Sequence, residues 1–180
     1  FCDDRYGSKI GLLYLFHFVQ YLGIAIFPIY QVNEIHISDS VISIGTGLFY
    51  ILMFLVSIRL EGFTRRFGYK KALALGVGFL SFYPAFLAMS TGPVLYYVAS
   101  CFGGIAWGFA GGTIYNYVLE AAPSGGRAGY LAWYNLVFNA GILTGSIGGP
   151  LLGSLTNLHV ALWIVVVGRF IAGLALLWWG

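Results

Sequence analysis

The stretch Arg59-Leu60-Glu61-Gly62-Phe63-Thr64-Arg65-Arg66-Phe67-Gly68-Tyr69-Lys70-Lys71 decides how the chain is read, because five of the nine Lys and Arg residues fall within it. Apolar runs flank it on both sides, 44–58 before and 72–87 after. A cluster of cations between apolar runs resists transfer across a bilayer, so the stretch is expected to be a loop on the cytoplasmic side. Fixing that loop orients every other segment.

Composition points the same way. The chain is 59% hydrophobic and 8% charged, with a mean hydropathy of +0.86, whereas an ordinary soluble domain carries roughly 25% charge. The class is an integral, all-α membrane protein surrounded by lipid. At ~20 apolar residues per crossing, the 180 residues accommodate six helices, expected at about 10–31, 41–58, 71–90, 94–119, 128–155 and 159–179. The turns at 33–40 and 90–93 carry no Lys or Arg, while eight of the nine basic residues lie at or near the other side. Both ends of the chain are therefore expected in the cytoplasm, with the plasma (inner) membrane as its place. Cytoplasmic loops account for the net charge of +3, which calls for no nucleic acid. Cys2 and Cys101 offer neither a disulfide framework nor metal-ligand spacing, and no cofactor is expected. The opening Phe1-Cys2-Asp3-Asp4-Arg5 is not a signal-peptide pattern, and a start on Phe reads as a piece of a longer protein.

Polar residues inside the apolar runs are the candidates for function. In the first helix, Tyr14, His17, Gln20, Tyr21, Ile24, Pro28 and Gln31 recur mostly at steps of three or four and share one face. His17 and Gln20 either line a solute path or are satisfied by neighbouring helices. Asn135 and Asn139 in the fifth helix face either a wet cavity or another helix. Pro28 is expected to bend the first helix. Gly104, Gly108 and Gly112 form a ridge in the fourth helix, and Gly141, Gly145 and Gly148 a stripe in the fifth; both suit close helix packing. Arg169 stands near the middle of the sixth helix with no acid at its depth. A structural role is expected for it, its partner being a carbonyl or a residue of another helical unit. Trp107 and the many tyrosines read as packing or interface anchors.

Around the basic stretch, Arg65-Arg66-Phe67-Gly68-Tyr69-Lys70 with Leu73 resembles the signature Gly-x-x-x-Asp-Arg-x-Gly-Arg-Lys-x-x-Leu of the major facilitator superfamily. Arg66, Gly68, Lys70 and Leu73 match; Glu61, Arg65 and Tyr69 depart from it. Glu120-x-x-Pro123-x-x-x-Arg127 resembles the Glu and Arg of a later loop in that superfamily, and Gly141-x-x-x-Gly145-x-x-x-Gly149-Pro150-x-x-Gly153 its glycine-proline pattern. The resemblance implies that 1–180 is a single six-helix half of a twelve-helix transporter. A degenerate loop motif and the lack of an Arg on the fourth helix favour the C-terminal half. The N-terminal six-helix half would then be its missing partner.

The function implied is secondary transport of a small solute by alternating access, at a site near the bilayer midplane. His17, Gln20, Tyr21, Asn135 and Asn139 are the expected solute path. Arg65, Arg66, Gly68, Lys70, Glu120 and Arg127 are the expected cytoplasmic gate, with Glu120 pairing to Arg66 in one gate state. Alternatively, the stretch only sets topology. An unperturbed pKa of ~6.5 makes His17 the candidate for proton coupling. The alternative function is a transporter-like receptor or scaffold without flux. An intramembrane protease fits poorly, since no Ser–His pair or aspartate pair lies at membrane depth, and no enzyme activity is expected.

Overall fold

The computed structural model describes residues 4–123 and 126–180. Cys2, Ser124 and Gly125 lie outside them. The described residues form seven helices: α1 (Asp4–Asn33), α2 (Asp39–Phe67), α3 (Tyr69–Phe79), α4 (Phe82–Ala88), α5 (Pro93–Ala121), α6 (Arg127–Leu155) and α7 (Leu158–Trp179). They make six spans long and apolar enough to cross a membrane, α3 and α4 together forming the third, Tyr69–Ala88. The chain is an all-α, multi-pass integral membrane protein.

The basic stretch is not the loop expected at 59–71. α2 continues through it to Phe67, so Arg59, Arg65 and Arg66 ride on the helix itself. At 1.5 Å per residue its 29 residues span roughly 44 Å, well beyond the ~30 Å of hydrocarbon. The last turns thus stand clear of the apolar layer, where cations complement the negative end of the helix dipole. Arg65 also bonds Glu61 one turn back at 2.7 Å; that exposed pair adds only ~0.3–0.5 kcal/mol. Gly68 alone separates α2 from α3, at φ 83°. A side chain is strained in that region, so the one-residue reversal depends on glycine. At the opposite end, Ser38 caps α2 by accepting from Val41 N, as Asn157 caps α7 by accepting from Val160 N at 2.8 Å.

Packing follows the two glycine rows. The Gly104, Gly108 and Gly112 ridge of α5 receives α2: Phe49 covers Gly104, Val56 Gly108, and Leu60 Gly112. Gly141, Gly145 and Gly149 of α6 receive α1, where a methyl group on Gly145 would stand 2.9 Å from Tyr21 Cβ. α3 lies between α5 and α7, and Gly173 of α7 meets the backbone of Gly78. Lipid tails are as apolar as Leu, so helices gain by close backbone approach, and small residues permit it. α2 and α6 remain the outliers: only 6% and 17% of their most apolar stretches are buried, against 44–56% for the other spans.

Helix interruption falls where the sequence was not expected to break. α1 stays helical through Pro28, whereas the third span is interrupted at Leu80–Ser81. Pro84 is the cause. It has no N–H to give the carbonyl four residues back, that of Leu80.

Gly145→Ala is expected to lower the unfolding midpoint in detergent, because the α1 backbone blocks the new methyl. Gly11→Ala, with nothing within 4 Å of the added carbon, should be neutral or raise the midpoint, since Ala exceeds Gly by about 1 kcal/mol as a helix residue. Thermal unfolding followed by size-exclusion chromatography measures both.

Candidate functional site

A cavity of about 530 Å³ opens between α1, α2 and α5, with the α3–α4 break and α7 beneath it. Its volume suits a small organic solute. From α1 come Gln20, Tyr21, Ile24, Phe27, Pro28 and Gln31; from α2 Ile42, Thr46, Phe49 and Tyr50. Tyr96, Ser100, Gly103 and Trp107 of α5 form the opposite wall, and Leu80, Tyr83 and Arg169 the base. An apolar, aromatic lining with a few convergent polar groups is the usual make-up of a binding pocket. Two of those polar groups already engage each other, Gln31 Nε2 donating to Tyr83 Oη at 3.1 Å. Tyr96 is fixed by donating to Ile42 O at 3.2 Å, with its ring over Gly45 of α2.

Arg169 is 1% exposed. Its Nη1 donates to Leu80 O at 3.0 Å, and its Nη2 to Gln20 O at 3.2 Å. The carbonyl that Pro84 leaves without a helical donor is thus supplied by a guanidinium from another span. Gly23 makes the approach possible, since a methyl there would lie 2.8 Å from Nη2. The guanidinium also stands 5.1 Å from the Phe27 ring centroid. The cation–π contact and the two charge-assisted bonds offset part of the burial cost. That cost is several kcal/mol for a charge without an opposite partner. Of the alternatives open from the sequence, a carbonyl partner is the one observed. Nε of Arg169 and Oε1 of Gln20 have no partner among the described residues.

The remaining candidates divide. Gln20 and Tyr21 join Arg169 at the cavity, whereas His17 does not line it. His17 is 1% exposed, its Nε2 is 3.2 Å from Tyr134 Oη, and its ring lies 4.6 Å from that of Phe138. The face predicted on α1 therefore splits: α6 packs on Tyr14 and His17, while Gln20, Tyr21, Ile24, Pro28 and Gln31 line the cavity, the two glutamines being buried. Tyr14 Oη is 3.2 Å from Thr144 Oγ1 of the covering helix. Asn135 and Asn139 are also away from the cavity, on the exposed side of α6. Asn139 Nδ2 returns to Asn135 O at 2.7 Å.

At the basic end, Arg65 pairs with Glu61, the one ion pair among the described residues. Arg66 lies over the Phe67 ring at 5.3 Å rather than against Glu120. Lys70 Nζ reaches Trp178 O at 3.5 Å, and Arg127 and Glu120 are exposed. Sequence reasoning missed Thr46, Tyr83 and Tyr96 as cavity residues. The signal for Tyr83 was the adjoining Pro84; Thr46 and Tyr96 carry no local signal.

A family model described as Major Facilitator Superfamily matches residues 11–180. No curated protein matches the chain.

Arg169→Met should cost stability, because it leaves Leu80 O unpaired at about 1–3 kcal/mol. Adding Pro84→Ala supplies a helical N–H to that carbonyl and should recover most of the loss. Folded yield and unfolding midpoint of the single and double variants measure this; no recovery would mean that Leu80 O is not the reason for the loss.

Proposed function

Because the chain belongs to the major facilitator superfamily, we propose that it forms half of a secondary transporter and that its cavity holds the transported small solute. The observation that carries the proposal is the convergence of Gln20, Gln31, Thr46, Tyr83 and Ser100 on one aromatic-lined space between α1, α2 and α5. Each group can replace a hydrogen bond the solute loses with water, at roughly 0.5–1.5 kcal/mol net. The sparsely buried α2 and α6 supply the surface for a second six-helix unit. Asn135 and Asn139 would face that unit or the path beside it. With the degenerate basic motif, this chain is read as the C-terminal half, and rocking of the two units would expose the cavity alternately to each side.

Gly68 and its neighbours Arg65, Arg66 and Lys70 are proposed to sit at the cytoplasmic gate, with Glu120 and Arg127 on the adjoining helix ends. Sidedness has a direct test. Cysteines at Ser38 and Thr91, both exposed, should react with an impermeant thiol reagent from outside, and one at Gly62 should not. The reverse pattern would invert the topology. Proton coupling through His17 would require α1 and α6 to part during the cycle, because α6 now covers the ring. His17→Gln would then flatten the dependence of flux on pH. An unchanged pH profile would leave His17 as a packing residue.

The central experiment is solute flux by the full-length protein in proteoliposomes. Gln20→Ala and Tyr83→Phe should each slow flux about five- to tenfold, or ~1–1.4 kcal/mol, at unchanged folded yield. Ile171→Ala, on the exposed side of α7, should leave flux alone. Specific solute binding without any flux would favour a receptor.

A further inference from the structure

We propose that the cavity selects solutes bearing an anionic group, with Arg169 as the cationic anchor, an inference that rests on reading this cavity as the solute site. Arg169 combines three observations. It lines the cavity, it is 1% exposed, and it faces no carboxylate there. The acids with described side chains, Glu34, Asp39, Glu61 and Glu120, are all exposed at or near helix ends. The guanidinium has five N–H donors, of which two reach carbonyls. Its Nε remains unpartnered.

Carbonyl dipoles and the Phe27 face attract the cation but leave its unit charge uncompensated. In a low-dielectric setting that residual charge acts strongly on whatever enters the cavity. An entering cation would be repelled, and a neutral solute would leave the charge as it is. A carboxylate, sulfonate or phosphate would complete the pair and accept the free donors, the geometry for which guanidinium is suited. Gln20 does not supply an opposite charge, and its own Oε1 is unpartnered. The other walls are aromatic, with Tyr21, Phe49, Tyr50 and Trp107 around the space. They suit the apolar body of an organic anion better than a small hydrated ion. The structural duty of Arg169 at Leu80 O does not explain a charged residue here, because a neutral donor of similar reach would satisfy that carbonyl without a buried charge.

The test uses the full-length protein and matched probes. Phenylacetate, phenylacetamide and phenethylamine share one ring and differ in charge. Phenylacetate should bind at least ~10-fold more tightly than the amide, as read by thermal shift and by quenching of Trp107, with Trp107→Phe as the optical control. Equal or inverted affinities would overturn the inference. A second readout needs no ligand affinity. At Thr46→Cys, an anionic methanethiosulfonate should react severalfold faster, relative to a cationic one, than at the remote Ser38→Cys. No such bias would equally overturn it.

Arg169→Gln combined with Pro84→Ala keeps Leu80 O satisfied while removing the charge. Loss of both preferences in that folded variant supports the anchor, and their retention excludes it. Flux without charge preference would overturn the anion selection and leave the transporter reading in place. Charge preference without flux would do the opposite.

Discussion

The carbonyl of Leu80 is the group around which the membrane interior of this protein is arranged. In hydrocarbon there is no water to satisfy a backbone carbonyl, so one left free by a proline must find a donor in the protein. Pro84 frees it, and Arg169 donates to it across the α7 interface. That one bond accounts for a long donor side chain at mid-span, for Gly23 facing it on α1, and for the base of the cavity being polar. A second bond, from the same guanidinium to Gln20 O, ties α1 to the same point. Three spans are thereby held together at the base of the cavity.

Glycine rows decide which helices can gather around that point. α5 accepts α2 along Gly104, Gly108 and Gly112, and α6 accepts α1 along Gly141, Gly145 and Gly149. The resulting pairs leave the cavity between α1, α2 and α5, and bury little of α2 and α6. The same close approach that stabilises the α1–α6 pair also removes His17 from the cavity. Packing and site geometry are therefore not separable here: moving α6 by one residue's width would change which part of the polar face of α1 is open.

Much of the fold was legible because bilayer thickness imposes long apolar runs, and six of them stand out in hydropathy. The basic stretch misled for a physical reason. Arg, Lys and Glu are good helix formers, yet a helix that projects beyond the hydrocarbon has the polarity of a loop. Only Gly68, with its positive φ, marks the real turn. The site was legible in part. Spacing placed Gln20, Tyr21 and Gln31 on one face of α1, but could not tell which portion α6 covers, and so His17 was grouped with them. The role of Arg169 was half visible: Pro84 announces a free carbonyl at Leu80, while the meeting of the two is a tertiary event. Tyr83 and Tyr96 were hidden among thirteen tyrosines, most of them plausible as interface anchors.

The most direct measurement of the central claim is modification of Thr46→Cys in the reconstituted protein. Thr46 is exposed and lines the cavity, so a small uncharged thiol reagent should reach a cysteine there. A solute that the protein transports should slow that reaction in proportion to its occupancy, with reaction at Ser38→Cys unaffected. Transport that proceeds at full rate while the solute gives Thr46→Cys no protection would contradict the account, because the solute would then cross the membrane by another route.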